Sequence, residues 1–137
     1  MVEKEHKENI TAFFEQMVQY LIAKDTEALA ALYHIPTVFV DEGEKKICAN
    51  REEICAKLAA IMRSSSFCAT SHFEFFVSHS VKLSEALYFI QVVWDWKDSA
   101  GNLVVNRMTS YTLQQSSNGH FDIVVSVADG SNLDVKS

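Results

Sequence analysis

Proline and glycine are scarce, one and four in 137 residues, which excludes collagen-like and low-complexity chains. The three cysteines, Cys48, Cys55 and Cys68, are odd in number and include no C-x-x-C pair. The five histidines show neither H-x-H nor H-E-x-x-H spacing, so neither a metal site nor a disulfide framework is expected. Basic residues are in deficit: 12 Lys+Arg face 18 Asp+Glu, a formal charge of −6. Nucleic acid and anionic membrane are therefore poor partners, because phosphates are bound by basic surfaces. No run approaches the ~18 apolar residues of a membrane helix. The longest apolar stretches, around Phe73–Val77 and Leu87–Val93, are broken by Glu74 and Gln91. The N-terminal residues are charged and lack an apolar segment, so no secretory signal is expected. Free thiols and a cytoplasmic location fit together. No glycine-rich phosphate loop or G-x-S-x-G elbow occurs, and no cofactor is expected.

What the chain has in quantity is apolar side chains, 48% of its residues, enough to build the core of one domain over 1–137, with the core at about 8–129. Ile10, Phe13, Phe14, Met17, Val18, Leu21 and Ile22 recur at helical offsets and predict an amphipathic helix over 8–23. Asp25 suits the N-cap of a second, short helix reaching about Tyr33. Pro36 bars its continuation and makes Ile35 extended. Thr37–Asp41 and Lys46–Ala49 read as a strand pair about an Asp-Glu-Gly-Glu turn. Asn50 with Glu53 opens a third helix, carrying Ile54, Leu58, Ile61 and Met62 to Arg63. Four long strands follow, 72–83, 86–97, 102–115 and 120–128. The two hairpin loops before Asn102 and His120 carry glycine where a left-handed residue is wanted. The fold class is α+β: a curved antiparallel sheet packed on three N-terminal helices.

The run Ala30 to His34 before Pro36, then Val38-Phe39-Val40, Asn50 to Ile54, and Tyr111-Thr112-Leu113 leading through Asn118-Gly119 into Phe121-Asp122-Ile123 carry a resemblance. In this order they resemble the nuclear-transport-factor-2-like superfamily, cone-shaped domains that include ketosteroid isomerase, scytalone dehydratase and polyketide cyclases. The Tyr33-His34-x-Pro36 version is most similar to an uncharacterised bacterial branch. The superfamily hosts unrelated chemistries on one scaffold, so the resemblance implies a fold and a cone before any reaction.

With three-residue hairpin loops, counting sets Leu113 opposite Ile123, Tyr111 opposite Val125 and Arg107 opposite Asp129. The resemblance puts the Phe121/Ile123 face toward the helices. The expected cone lining is then Met17, Tyr20, Tyr33, Gln91, Asp95, Arg107, Thr109 and Tyr111. The other face would carry Tyr88, Ile90, Val92, Trp94, Trp96 and Met108, too apolar for water, which implies a homodimer through that face. A slip of one residue would exchange the faces and put the tryptophans in the cone.

Laid on ketosteroid isomerase, Asp41 falls on the proton-shuttling aspartate, though that family's oxyanion donors are not reproduced: Met17 takes the tyrosine position. Asp41 also suits an ordinary solvated turn. His34 is the second candidate base, set against hydrogen bonding to the backbone before Pro36. His79 is weighed the same way. Arg107 and Asp95 form either a ligand-gripping pair or a rim ion pair. Three readings follow: a protein binding a small, mostly apolar ligand; a cofactor-independent isomerase or dehydratase using Asp41 or His34; and an interaction module using the outer tryptophan face.

Overall fold

The computed structural model describes residues 2–41 and 43–128. Helix α1 spans Val2–Ala23, beginning before the apolar stripe because the Glu- and Lys-rich segment ahead of it consists of good helix formers. Ile10, Phe13, Phe14, Met17 and Leu21 are buried, whereas Ile22 points to solvent. The helix ends in a Schellman arrangement. Lys24 takes a left-handed φ of 56°, and the Lys24 and Asp25 amides donate to the Leu21 and Tyr20 carbonyls. Asp25 caps α2 (Thr26–Ala30), its carboxylate accepting from the Ala28 amide at 3.1 Å.

Helix α2 stops short of Tyr33, which instead opens strand β1 (Tyr33–Asp41). The Leu32 carbonyl accepts from the Ile123 amide at 2.8 Å, and that bond draws the chain into the sheet early. The Ile35–Pro36 peptide is cis. Strand β2 (Glu44–Cys48) returns, and Asn50 caps α3 (Arg51–Met62) by accepting from the Glu53 amide at 2.9 Å. The Glu53 carboxylate reaches back to the Ala49 amide at 2.7 Å, closing a capping box displaced by one residue. A short α4 (Ser65–Cys68) was not foreseen. Ser64 caps it and delivers Phe67 into the core against Phe73 and Trp96. Four long strands follow as expected: β3 (His72–Lys82), β4 (Leu87–Lys97), β5 (Leu103–Gln115) and β6 (Phe121–Ala128).

The fold is α+β, with six strands in the order β2-β1-β6-β5-β4-β3, curved and unclosed. All neighbours are antiparallel except β1 and β6. The core lies between the helices and one sheet face, where Phe14, Ile54, Phe67, Ile90, Val92, Leu113 and Ile123 are almost wholly sealed. Each such side chain contributes about 1.5–3 kcal/mol of burial.

Two bulges decide which residues face that core. Leu113 pairs with Ile123 as counted, but Val124 is an extra residue on β6, so Tyr111 pairs with Ser126 rather than Val125. The counted partner of Arg107, Asp129, lies outside the described residues. On the other side of β5, Trp96 pairs with Val105 and Lys97 with Leu103, leaving Val104 as the extra residue. That bulge reverses β4 relative to the count. Tyr88, Ile90, Val92, Trp94 and Trp96 therefore point toward the helices, and all but Trp96 are buried. They cannot form the outer dimer surface first expected of them. Gln91 and Asp95 sit on the outer face, together with Met108. The outer sheet face nonetheless exposes apolar groups of its own, Phe76 at 67%, Val81 at 48% and Val127 at 36%.

Candidate functional site

A cavity of about 300 Å³ lies between the helices and the inner sheet face. Met17 and Leu21 of α1, Leu29 of α2, and Leu58, Ile61 and Met62 of α3 make its apolar wall. The sheet supplies Tyr33, Phe39 and Asp41 from β1, Trp94 and Trp96 from β4, Val105, Arg107, Thr109 and Tyr111 from β5, and Ser126 and Ala128 from β6. Ser64 and Ser66 add two hydroxyls at the α4 side.

Of the residues expected in the cone, Met17, Tyr33, Asp41, Arg107, Thr109 and Tyr111 are brought together here. Tyr20 is partly buried against the core and does not reach the cavity. Gln91 spends its side chain on the outer face, accepting from Ser78 at 3.1 Å and meeting His79 Nδ1 at 2.9 Å. Asp95 accepts from Asn106 on that same face, so the Asp95–Arg107 pair does not form: the Val104 bulge sets them on opposite faces. His34 lies outside the cavity, with Nδ1 3.1 Å from the Pro36 carbonyl, in the backbone role that competed with catalysis. His79 is exposed on β3. Among the described residues no cluster of His, Cys, Asp and Glu could hold a metal ion.

The tryptophans are the chief site residues that counting misplaced. The one-residue slip occurs in β4 alone: it brings the tryptophans into the cavity and leaves Arg107, Thr109 and Tyr111 there as counted. Leu58, Ile61 and Met62 carried their own signal, being the apolar stripe of the third helix, but nothing in that stripe separates cavity wall from filled core.

The polar groups in the cavity divide into engaged and unengaged. Asp41 Oδ2 accepts from Lys57 Nζ at 2.8 Å, and that ammonium also lies over the Phe39 ring, 5.7 Å from its centroid. Trp94 Nε1 donates to the Tyr111 hydroxyl at 3.2 Å. Burial pushes the Tyr111 phenol up to about 12, partly offset by hydrogen bonds from Trp94 and Thr109. Burial, then the neighbouring Tyr111 and Asp41, holds Tyr33 well above the ordinary tyrosine range. Both phenols are therefore neutral donors at physiological pH. Two buried nitrogens, Trp96 Nε1 and Arg107 Nε, have no hydrogen-bond partner among the described residues.

An open sheet curved over N-terminal helices, with a cavity between the layers, defines the cone-shaped α+β class of small domains. Within that class the chain belongs to the family described as NTF2-like protein (DUF6841), whose model matches residues 4–131. No curated protein matches the chain. Among solved structures it is similar to a domain of unknown function with a cystatin-like fold from Nostoc punctiforme, with TM-score 0.72 and 18% identity over 91% of this chain and 76% of that one. It is also similar to a ketosteroid isomerase-like protein from Erwinia carotovora atroseptica, with TM-score 0.66 and 15% identity over 90% and 93% of the two chains. An NTF-2 like protein of unknown function from Silicibacter pomeroyi shares 21% identity, with TM-score 0.66, over 94% and 98%. At these identities the likeness is one of fold.

Proposed function

We propose that this chain binds a small, mostly apolar molecule in the cavity between its helices and the inner sheet face. The observation that supports the reading most is the cavity itself: about 300 Å³ walled by six apolar side chains from three helices, with a few polar groups converging from the sheet. That combination is the usual form of a small-molecule site. The volume is about twice that of the ~150 Å³ apolar cavity known to admit benzene, so a body of one or two rings fits. Calorimetric titration with neutral 2-naphthylmethanol tests it. One site per chain is expected, weakened in Ile61→Trp, which takes up part of the cavity; absence of binding by the native chain of both this alcohol and the matching carboxylate, 2-naphthoate, refutes the reading.

A second reading, cofactor-independent proton transfer, is favoured by Asp41 standing on the same wall as Tyr33. Asp41 Oδ2 is held by Lys57, which leaves Oδ1 to take a proton, while a neutral phenol supports the developing oxyanion. The test is exchange of the α-protons of 2-tetralone in D2O, followed by NMR. Acceleration that disappears in Asp41→Asn supports this chemistry, and no acceleration ends it.

We further propose a cytoplasmic location and a homodimer. Free thiols at Cys48, Cys55 and Cys68 suit the cytoplasm. Among the described residues no helix is long and apolar enough to cross a membrane. A homodimer would form through the outer sheet face, now with Phe76, Val127 and Met108 in place of the inward-turned tryptophans. The same inward turn removes Trp94 and Trp96 from any surface offered to another protein.

A further inference from the structure

Trp96 Nε1 and Arg107 Nε are both sealed from solvent, both lack an acceptor among the described residues, and both belong to side chains lining the cavity. Buried donors in folded proteins are almost always paired, so two orphans on one wall point to an acceptor that comes from elsewhere. Their placement is not incidental. Trp94 stands opposite Arg107 and Trp96 opposite Val105, which makes Trp96 and Arg107 diagonal cross-strand neighbours on the inner face. Trp94 supplies the contrast: its indole N–H is already spent on the Tyr111 hydroxyl.

The ionic inventory of the wall gives the sign of the missing group. Asp41 is matched by Lys57, and no described carboxylate pairs with Arg107. Among the described residues the cavity is left with one uncompensated guanidinium. A monoanion with two acceptor oxygens satisfies both orphans and that charge together. A phosphate dianion would bring a second negative charge toward Asp41, with no second free cation among the described lining residues to meet it.

Resting on the small-molecule reading above, we infer that Arg107 and Trp96 form a carboxylate subsite, and that the ligand is a carboxylic acid anion with an apolar body of one or two rings. The carboxylate takes the Arg107 guanidinium and the Trp96 indole N–H once a small turn of those side chains opens their sealed nitrogens to the cavity, while the rings lie against Met17, Leu58 and Ile61.

The experiment is a matched pair, 2-naphthoate and neutral 2-naphthylmethanol, titrated calorimetrically at pH 7.5 into the native chain, Arg107→Gln and Trp96→Phe. The native chain is expected to bind the carboxylate about tenfold or more tightly than the alcohol. Arg107→Gln abolishes the preference by weakening carboxylate binding, and a native far-UV circular dichroism spectrum and melting transition show that the variant is folded. Trp96→Phe, which removes the indole donor together with part of the ring packed on Phe67 and Phe73, cuts the carboxylate-over-alcohol preference by several-fold. Equal binding of the two probes by the native chain overturns the subsite while the small-molecule reading stands. A preference that survives Arg107→Gln overturns it as well. If neither probe binds the native chain, both readings fall.

Discussion

Thr37 is buried on β1, and its hydroxyl lies 3.1 Å from the Ile123 carbonyl and 2.9 Å from the Val124 carbonyl. Val124 is the extra residue of the β6 bulge, so this one hydroxyl serves the carbonyls that the bulge pulls out of register. Thr37→Val keeps the shape and removes the donor. Both carbonyls are then left without it in a site that excludes water, at a cost of about 1–3 kcal/mol. Thr37→Ser keeps the donor and loses one methyl, about 0.8 kcal/mol. For a domain of this size, about 3 °C per kcal/mol makes the Val variant melt about 3–9 °C lower. Urea unfolding measures the loss directly, with the midpoint expected to fall by about 1 M. A loss below about 0.5 kcal/mol in Thr37→Val, or a greater loss in Thr37→Ser, would refute the claim that this hydroxyl holds the bulge.

Three further outcomes follow from the same contacts. Tyr33 and Tyr111 have folded-state pKa values raised above the ~10 of an unfolded tyrosine, so their contribution to stability is complete below pH ~10 and is lost as pH rises through the folded values. An alkaline titration followed at 295 nm should show Tyr111 ionising near 12 and Tyr33 only on unfolding; ionisation of all four tyrosines near pH 10 in the folded chain contradicts this. Thiol labelling should modify exposed Cys68 first and wholly buried Cys48 only after denaturant is added, and early modification of Cys48 would contradict its place in the core. If the outer sheet face joins two copies, Phe76→Glu converts a dimer to a monomer by light scattering with little change in melting temperature, whereas a native chain that is already monomeric ends that proposal.

The caps could be read in advance because a cap is local. Asp25 and Asn50 each precede a helix whose orphan amides need an oxygen, and both accept the amide three residues on. The hairpin glycines were equally plain, and Gly101 and Gly119 take left-handed φ values of 87° and 92°. The faces of the sheet were harder, for an identifiable reason. Both bulges fall in unbroken apolar runs, Leu103-Val104-Val105 and Ile123-Val124-Val125, where no polar residue alternates to reveal a missed step. Tyr111 and Arg107 reached the cavity as counted because β5 carries them, whereas every β4 residue was reversed by Val104. The error moved Gln91 and Asp95 out and brought both tryptophans in. Helix α4 escaped because four residues give no periodicity; its only sign was Ser64 three residues before Phe67.

The inward turn of the tryptophans is the point on which the cavity, the proposed ligand and the proposed carboxylate subsite all depend. The chain has only two tryptophans, so a ¹H–¹⁵N correlation spectrum carries two indole cross-peaks, which Trp96→Phe assigns. Titration with 2-naphthoate should shift both, with the unpartnered Trp96 N–H moving strongly downfield and the Trp94 N–H, already bonded to Tyr111, moving less. If both peaks stay in place at saturating naphthoate and 2-naphthylmethanol, the tryptophans do not face a ligand-binding cavity, and the account is wrong at its centre.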